Sequence, residues 1–152
     1  MTLIPRIFLS SILKLIKYRM VSRYGPGALM ATFDVESTYQ NIPFHPDERF
    51  LLGMKWHGQF YVELSLPLGL RSAPFFFFNS VAEMVEWILL HKHHLSDLLH
   101  YLDDFITTGP RQSSQCAYNL NTAVSVCHRL GLPLYPNKCV GRSSYFYDCL
   151  RN

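Results

Sequence analysis

Two adjacent aspartates, Asp103 and Asp104, stand between apolar segments, with Leu98, Leu99, Tyr101 and Leu102 before them and Phe105 and Ile106 after. No other feature narrows the fold of this chain as much. Short apolar runs broken by a polar pair read as the arms of a hairpin, residues 98–102 and 105–108, with the two carboxylates at its turn. Two like charges beside a core cost free energy unless a cation offsets them, and an all-oxygen donor set points to Mg²⁺ or Mn²⁺. The bland alternative is a solvated turn, since aspartate is a common turn residue.

The rest of the chain supplies layers for such a hairpin. With 152 residues, 49% of them hydrophobic, it can bury one core and has little room for a second. Ile12, Leu13, Ile16 and Met20 recur at helical spacing and predict a helix that stops near Gly25-Pro26-Gly27. Residues 29–35 are apolar and β-prone and bring Asp34 close to a strand end. Residues 50–56 and 59–65 flank His57-Gly58 and predict a second hairpin. Pro74 opens a helix running to about His91 with Phe75, Phe78, Val81, Ala82, Val85, Ile88 and Leu89 on one face, and its four successive phenylalanines predict heavy burial. Ser113 or Ser114 caps a last helix, with Ala117, Leu120, Val124 and Cys127 apolar, that ends at Gly131 and Pro133. The pattern predicts an α+β fold, with helices on one face of a small antiparallel sheet.

Charge and cysteine usage set weaker bounds. Lys and Arg outnumber Asp and Glu by 14 to 11, a balance that tolerates a polyanion without demanding one. Before Asp34 the only charges are Arg6, Lys14, Lys17, Arg19 and Arg23, a basic stretch that suits phosphates or a solvated helix face. Cys116, Cys127, Cys139 and Cys149 are far apart with no C-x-x-C pair, which predicts reduced thiols and an intracellular location, cytoplasm or nucleus. Charges break up the apolar opening stretch, so no membrane span is expected there.

Tyr101-Leu102-Asp103-Asp104 resembles the YxDD box of reverse transcriptases. Phe33-Asp34-Val35-Glu36-Ser37-Thr38-Tyr39 resembles the first palm motif of that family. Leu66-Pro67-Leu68-Gly69-Leu70-Arg71-Ser72-Ala73-Pro74 resembles its LPxGxxxxP segment, and Leu130-Gly131-Leu132-Pro133 with Asn137-Lys138-Cys139 is similar to the motif that follows. The likeness covers roughly residues 25–141 and extends to retrotransposon enzymes through Phe44-His45-Pro46, Leu51-Leu52-Gly53-Met54, Trp56 and His100-Tyr101. It implies a ferredoxin-like polymerase palm, residues 29–42 and 71–141, with partial fingers at 1–28 and 43–70 and a degraded primer-grip region at 142–152. Thr38 stands where the family usually has alanine, Gln40 where arginine is frequent, and Leu68 where Phe or Gln is commoner.

The resemblance implies RNA-directed DNA synthesis on an RNA or DNA template with a primer, from deoxyribonucleoside triphosphates, with two Mg²⁺ or Mn²⁺ ions. It gives Asp34, Asp103 and Asp104 the metals, with the Val35 carbonyl assisting. Tyr39 becomes the residue beneath the deoxyribose, Gly69 a close backbone approach to the nucleotide, Arg71 a phosphate contact or a solvated arginine, and Lys138 a stabiliser of the leaving pyrophosphate. Thumb and RNase H segments are implied as partners in a longer polyprotein. Two other readings stand beside this one: a catalytically inactive remnant acting as a nucleic-acid-binding domain, and a metal site built from His91, His93, His94 and His100 beside Asp97.

Overall fold

The computed structural model describes residues 6–143, and within them all side chains other than those of residues 6–13, 78 and 140–143. An N-terminal helix, Arg6–Ser22, stops short of Gly25 and Gly27, and strand β1 follows at Leu29–Asp34. Two 3₁₀ turns, Thr38–Asn41 and Pro46–Leu52, lead to the hairpin β2 (Gly53–Trp56) and β3 (Gln59–Val62). A long helix, Ala73–Lys92, precedes the hairpin β4 (Leu98–Tyr101) and β5 (Asp104–Gly109). Helix Gln115–Arg129, a 3₁₀ turn at Pro136–Lys138 and strand β6 (Val140–Ser143) complete the described chain. Of the expected primer-grip region, Arg142 and Ser143 belong to β6, and residues 144–152 lie outside the described range.

Strands β4, β5, β1 and β6 form one antiparallel sheet in that order, and β2 and β3 pair apart from it. Strand side chains alternate between faces, so the register divides the sheet cleanly. Phe33 lies opposite Phe105, and the two rings stack at 4.7 Å. This face carries the main core, where Val35 and the two phenylalanines meet Phe77, Ala82, Val85 and Leu89 of the long helix and Ala123, Val126 and Cys127 of helix Gln115–Arg129. These two helices cover one face, but the sheet is not left open on the other as the pattern predicts, because Met30 and Ile106 make that face apolar as well. Met30 and Ile106 point the other way and meet Met20 and Val21 of the N-terminal helix in a smaller second core. Asp34 and Asp104 are register partners of the same parity as Met30 and Ile106, so they sit on the face away from the main core.

The long helix shows why four consecutive phenylalanines do not all enter a core. At about 100° per residue, neighbours point in different directions: Phe77 is fully buried, whereas Phe75 and Phe76 are exposed. The helix is also interrupted by two π turns, Phe78–Ala82 and Ile88–Lys92, which shift the buried stripe as it runs along the sheet. Length and composition alone would let it cross a bilayer, but Phe77, Ala82, Val85 and Leu89 give it a core-facing stripe. Beside this body, every residue of β2 and β3 is exposed. Their turn is as expected, with His57 at φ 47° and Gly58 at φ 79°, the left-handed pair that a two-residue hairpin loop requires.

Candidate active site

Strand β1 ends at Asp34, and the backbone beyond it is held from two sides. The Val35 N–H donates to the Asp103 carbonyl at 3.3 Å, joining the strand end to the β4–β5 turn. From the other side, the Glu36 N–H donates to the Pro133 carbonyl at 2.8 Å, Val35 bridges Leu134, and the Tyr135 N–H donates to the Asp34 carbonyl at 3.1 Å. Asp34, Asp103 and residues 133–138, separate in sequence, are thereby stitched around one strand end.

The two adjacent carboxylates do not share the turn. Leu102 takes up the reversal at φ 55° with Asp103 next to it, whereas Asp104 is the first residue of β5 and faces Asp34 across the ladder. The physical reason is alternation: moving Asp104 into the strand lets Phe105 point into the main core opposite Phe33. Like charges directly opposite in a sheet are destabilising. Partial desolvation, followed by the charges of Asp34 and Asp103, raises the Asp104 carboxyl above its ordinary range, with Lys17 and Lys138 pulling it back.

Asp34 is almost fully buried, its Oδ2 takes a close bond from Lys138 Nζ, and its Oδ1 is buried without a partner. That bond, with the charges of Asp34, Asp104 and Asp103, raises Lys138 above the ordinary lysine range against some desolvation. Tyr135 lies under the same ammonium, 4.8 Å from Nζ to the ring centroid.

Against this corner opens a cleft of about 250 Å³ lined by Val35, Ser37, Thr38, Tyr39, Gln40, Leu68, Asp103, Tyr135 and Lys138. Tyr39 meets Phe77 edge-on at 6.4 Å, and burial first, then the Asp103 charge, raises its hydroxyl above the ordinary range. Thr38, the departure from alanine, is buried and donates its hydroxyl to the Val35 carbonyl at 2.9 Å. A carbonyl has two lone pairs, so one remains for another partner. Gly69, at φ 91°, and the exposed Arg71 lie on the approach to the long helix, outside the lining of the cleft, although their neighbour Leu68 reaches it.

Asp34, Asp103 and Asp104 therefore converge on one corner with Val35, Tyr39 and Lys138, while Gly69 and Arg71 stand apart. Sequence reasoning missed Tyr135, whose one local signal is its place before Pro136, which holds it extended at φ −70°, ψ 110°. Among the described residues no group of three or more His, Cys, Asp or Glu side chains is gathered tightly enough to hold a metal outright. The donor set still fits a hard divalent cation: it is all oxygen, one buried carboxylate oxygen lacks a partner, and one accepts only a flexible lysine. The histidine alternative has no such convergence. His100 Nδ1 closely contacts Glu86, His93 meets Arg129, His91 lies by Trp87, and Asp97 takes Arg23 at 2.7 Å and the Tyr24 hydroxyl.

Comparison with known proteins gives one family. The family model described as reverse transcriptase (RNA-dependent DNA polymerase) matches residues 9–146. No curated protein sequence matches. Among solved structures, the foamy viral protease-reverse transcriptase in complex with dsDNA aligns over 74% of this chain and 23% of its own, with 19% identity and a TM-score of 0.62. The same viral protein in complex with an RNA/DNA hybrid aligns over 72% of this chain and 14% of its own, with 21% identity and a TM-score of 0.59. The selenomethionine-labelled mutant of the prototype foamy virus protein aligns over 70% and 13%, with 21% identity and a TM-score of 0.57. At this identity the likeness speaks for the fold, and the chain spans less than a quarter of the length of these relatives.

Proposed function

Since the chain belongs to the reverse transcriptase (RNA-dependent DNA polymerase) family, we propose that its aspartate corner is the nucleotidyl-transfer site of an RNA-directed DNA polymerase from a retroelement, of which this chain is a part. The observation that carries the reading is the register pair Asp34 and Asp104, fixed face to face at strand ends with the Asp103 carbonyl accepting from Val35, the residue just after β1. Phosphoryl transfer asks a protein mainly to position reactants and to stabilise developing charge. A chain that places carboxylates on rigid strand ends, beside a cleft with a cation at its edge, is built for that task.

Asp34, Asp103 and Asp104 would hold two divalent ions, Mg²⁺ or Mn²⁺, with the free lone pair of the Val35 carbonyl as a further oxygen. When bound, such ions supply Lewis acidity toward the triphosphate and the primer 3′-hydroxyl. The remaining roles belong to the chain. Tyr39, rigid against Phe77, forms a flat wall of the cleft against which a deoxyribose fits and a 2′-hydroxyl crowds. Lys138, kept protonated by its acidic surroundings, offers charge to the leaving phosphates. Gly69 and Arg71, at the start of the long helix, serve the template or the nucleotide from outside the cleft. The relatives in complex with an RNA/DNA hybrid and with dsDNA support a template–primer duplex as the partner. Thumb and RNase H segments would belong to the rest of a longer polyprotein.

The test is binding of a fluorescent deoxynucleoside triphosphate in the presence and absence of Mg²⁺. Binding should require the ion, and Asp34→Asn or Asp103→Asn should weaken it by about tenfold or more, the scale of one charged interaction lost. Equal affinity in the wild type and both variants would overturn the assignment.

A further inference from the structure

Asp34 is held in an uneven balance. Its side chain is 4% exposed, yet the lysine bonded to its Oδ2 is 59% exposed along its own side chain, and Oδ1 has no partner at all. A buried carboxylate facing another carboxylate across a ladder needs a cation close by. Lys138 supplies it from 104 residues away.

The segment that brings Lys138 there does not depend on the lysine. Residues 133–135 are fastened to β1 by the two backbone hydrogen bonds and the bridge already described, so the 3₁₀ turn Pro136–Lys138 stays beside the strand end whether or not the ammonium touches Asp34. The movable part is the lysine stem, four flexible methylenes carrying a point charge. A second seat lies within its reach, because Nζ already stands over the Tyr135 ring, and Tyr135 and Lys138 both line the cleft that holds Tyr39 and Asp103.

We propose that Lys138 is a placeholder cation that competes with divalent metal for Asp34 Oδ2. An ammonium in hydrogen-bond contact with that oxygen and a doubly charged ion coordinated by it would put like charges a few ångströms apart at a poorly solvated site. Each therefore excludes the other. Entry of the ion releases Lys138 toward Tyr135 and the cleft, where it is free to meet a polyanion. The lysine thus positions charge in two places by turns: at Asp34, where it offsets the carboxylate cluster, and in the cleft, where a triphosphate needs it. The inference rests on reading the aspartates as a metal site and adds an exchange to it.

The test is a Mn²⁺ titration of the 152-residue chain, following the free-ion signal by electron paramagnetic resonance. Lys138→Gln removes the competitor and should tighten Mn²⁺ binding on the order of tenfold, the scale of one charged hydrogen bond that no longer has to break. Lys138→Arg retains charge and reach and should bind Mn²⁺ as weakly as the wild type. Lys17 is the control for a general field, since its charge is felt at Asp104 while Asp34 is bonded to Lys138. Lys17→Gln should change the affinity by less than about threefold, as screened charges do. Lys138 is exposed, and urea unfolding of each variant verifies that the fold is retained.

Affinity unchanged or weakened in Lys138→Gln, or tightened as much in Lys17→Gln, would overturn the placeholder role. Asp34→Asn distinguishes loss of the exchange from loss of the metal site. If Asp34→Asn abolishes Mn²⁺ binding while Lys138→Gln leaves it unchanged, only the exchange falls. If Mn²⁺ binds Asp34→Asn and the wild type alike, the metal site falls and the exchange with it.

Discussion

Phe33 and Phe105 are fully buried in the four-stranded sheet, whereas Phe60 on the β2–β3 hairpin is 80% exposed and Trp56 65%. Both regions are antiparallel, and both are rich in aromatic and aliphatic residues. What separates them is layering: β1 and β5 carry helices on both faces, and among the described residues β2 and β3 have neither a third strand nor a covering helix. The contrast teaches where precision is available. Asp34 and Asp104 sit on strands whose backbone is fixed by two cores, with Asp103 in the turn that joins β4 to β5, so their mutual placement is a property of the whole body. The hairpin has no such support among the described residues, and its apolar side chains stay exposed.

The largest difference is expected when one aromatic is truncated in each region. Phe105→Ala should cost about 3–5 kcal/mol, as large-to-small changes in closed cores do. Phe60→Ala should cost within about 0.5 kcal/mol, as exposed substitutions usually do. Urea unfolding of the two variants measures both, and similar losses would erase the distinction.

A smaller contrast lies in two glycines. A Cβ at Gly109, the last residue of β5, would come 3.0 Å from the Cys116 backbone nitrogen and 3.2 Å from its Cβ, where helix Gln115–Arg129 starts. Gly109→Ala should therefore destabilise by about 1–3 kcal/mol, the range for overpacking. At Gly53, which opens β2, the nearest atom would be 3.4 Å away and the backbone is ordinary extended chain, so Gly53→Ala should be close to neutral by the same measurement.

The smallest effect concerns the cost of the site itself. Asp104 has its pKa raised in the fold, so at neutral pH its charge opposes folding. As pH falls through the raised value, the folded protein takes up the proton before the unfolded chain does, and the penalty disappears. In metal-free buffer, Asp104→Asn should thus stabilise the protein at pH 7 by less than about 1 kcal/mol, a gain that fades on acidification. A gain of the same size at every pH would assign it to packing instead.

Much of the main sheet was legible because its signals are local. Apolar, β-prone runs placed Asp34 near a strand end, and the polar breaks between such runs placed His57-Gly58 and the Asp103-Asp104 pair at hairpin turns. The limits were also physical. A run of phenylalanines states that apolar surface exists and leaves open which ring points inward, so Phe77 could not be told from Phe75. The assignment of Asp103 and Asp104 to one turn missed that Phe105 needs its neighbour in the strand to reach the core. The bond from Lys138 to Asp34 and the contribution of Tyr135 depend on the return of residues 133–138 to β1, a long-range pairing that no window of sequence contains. Thr38 was visible as a departure, but its hydrogen bond to the Val35 carbonyl was not.

On this reading, divalent metal binds at the corner of Asp34, Asp103 and Asp104. The most direct measurement is Mn²⁺-induced relaxation of backbone amide signals in the ¹⁵N-labelled chain, because broadening falls steeply with distance from the ion. Broadening should be strongest at Asp34, Val35, Asp103 and Asp104, slight at the β2–β3 turn, and lost from all of them in Asp103→Asn. Broadening centred on His91, His93 and His94, or undiminished by Asp103→Asn, would contradict the account.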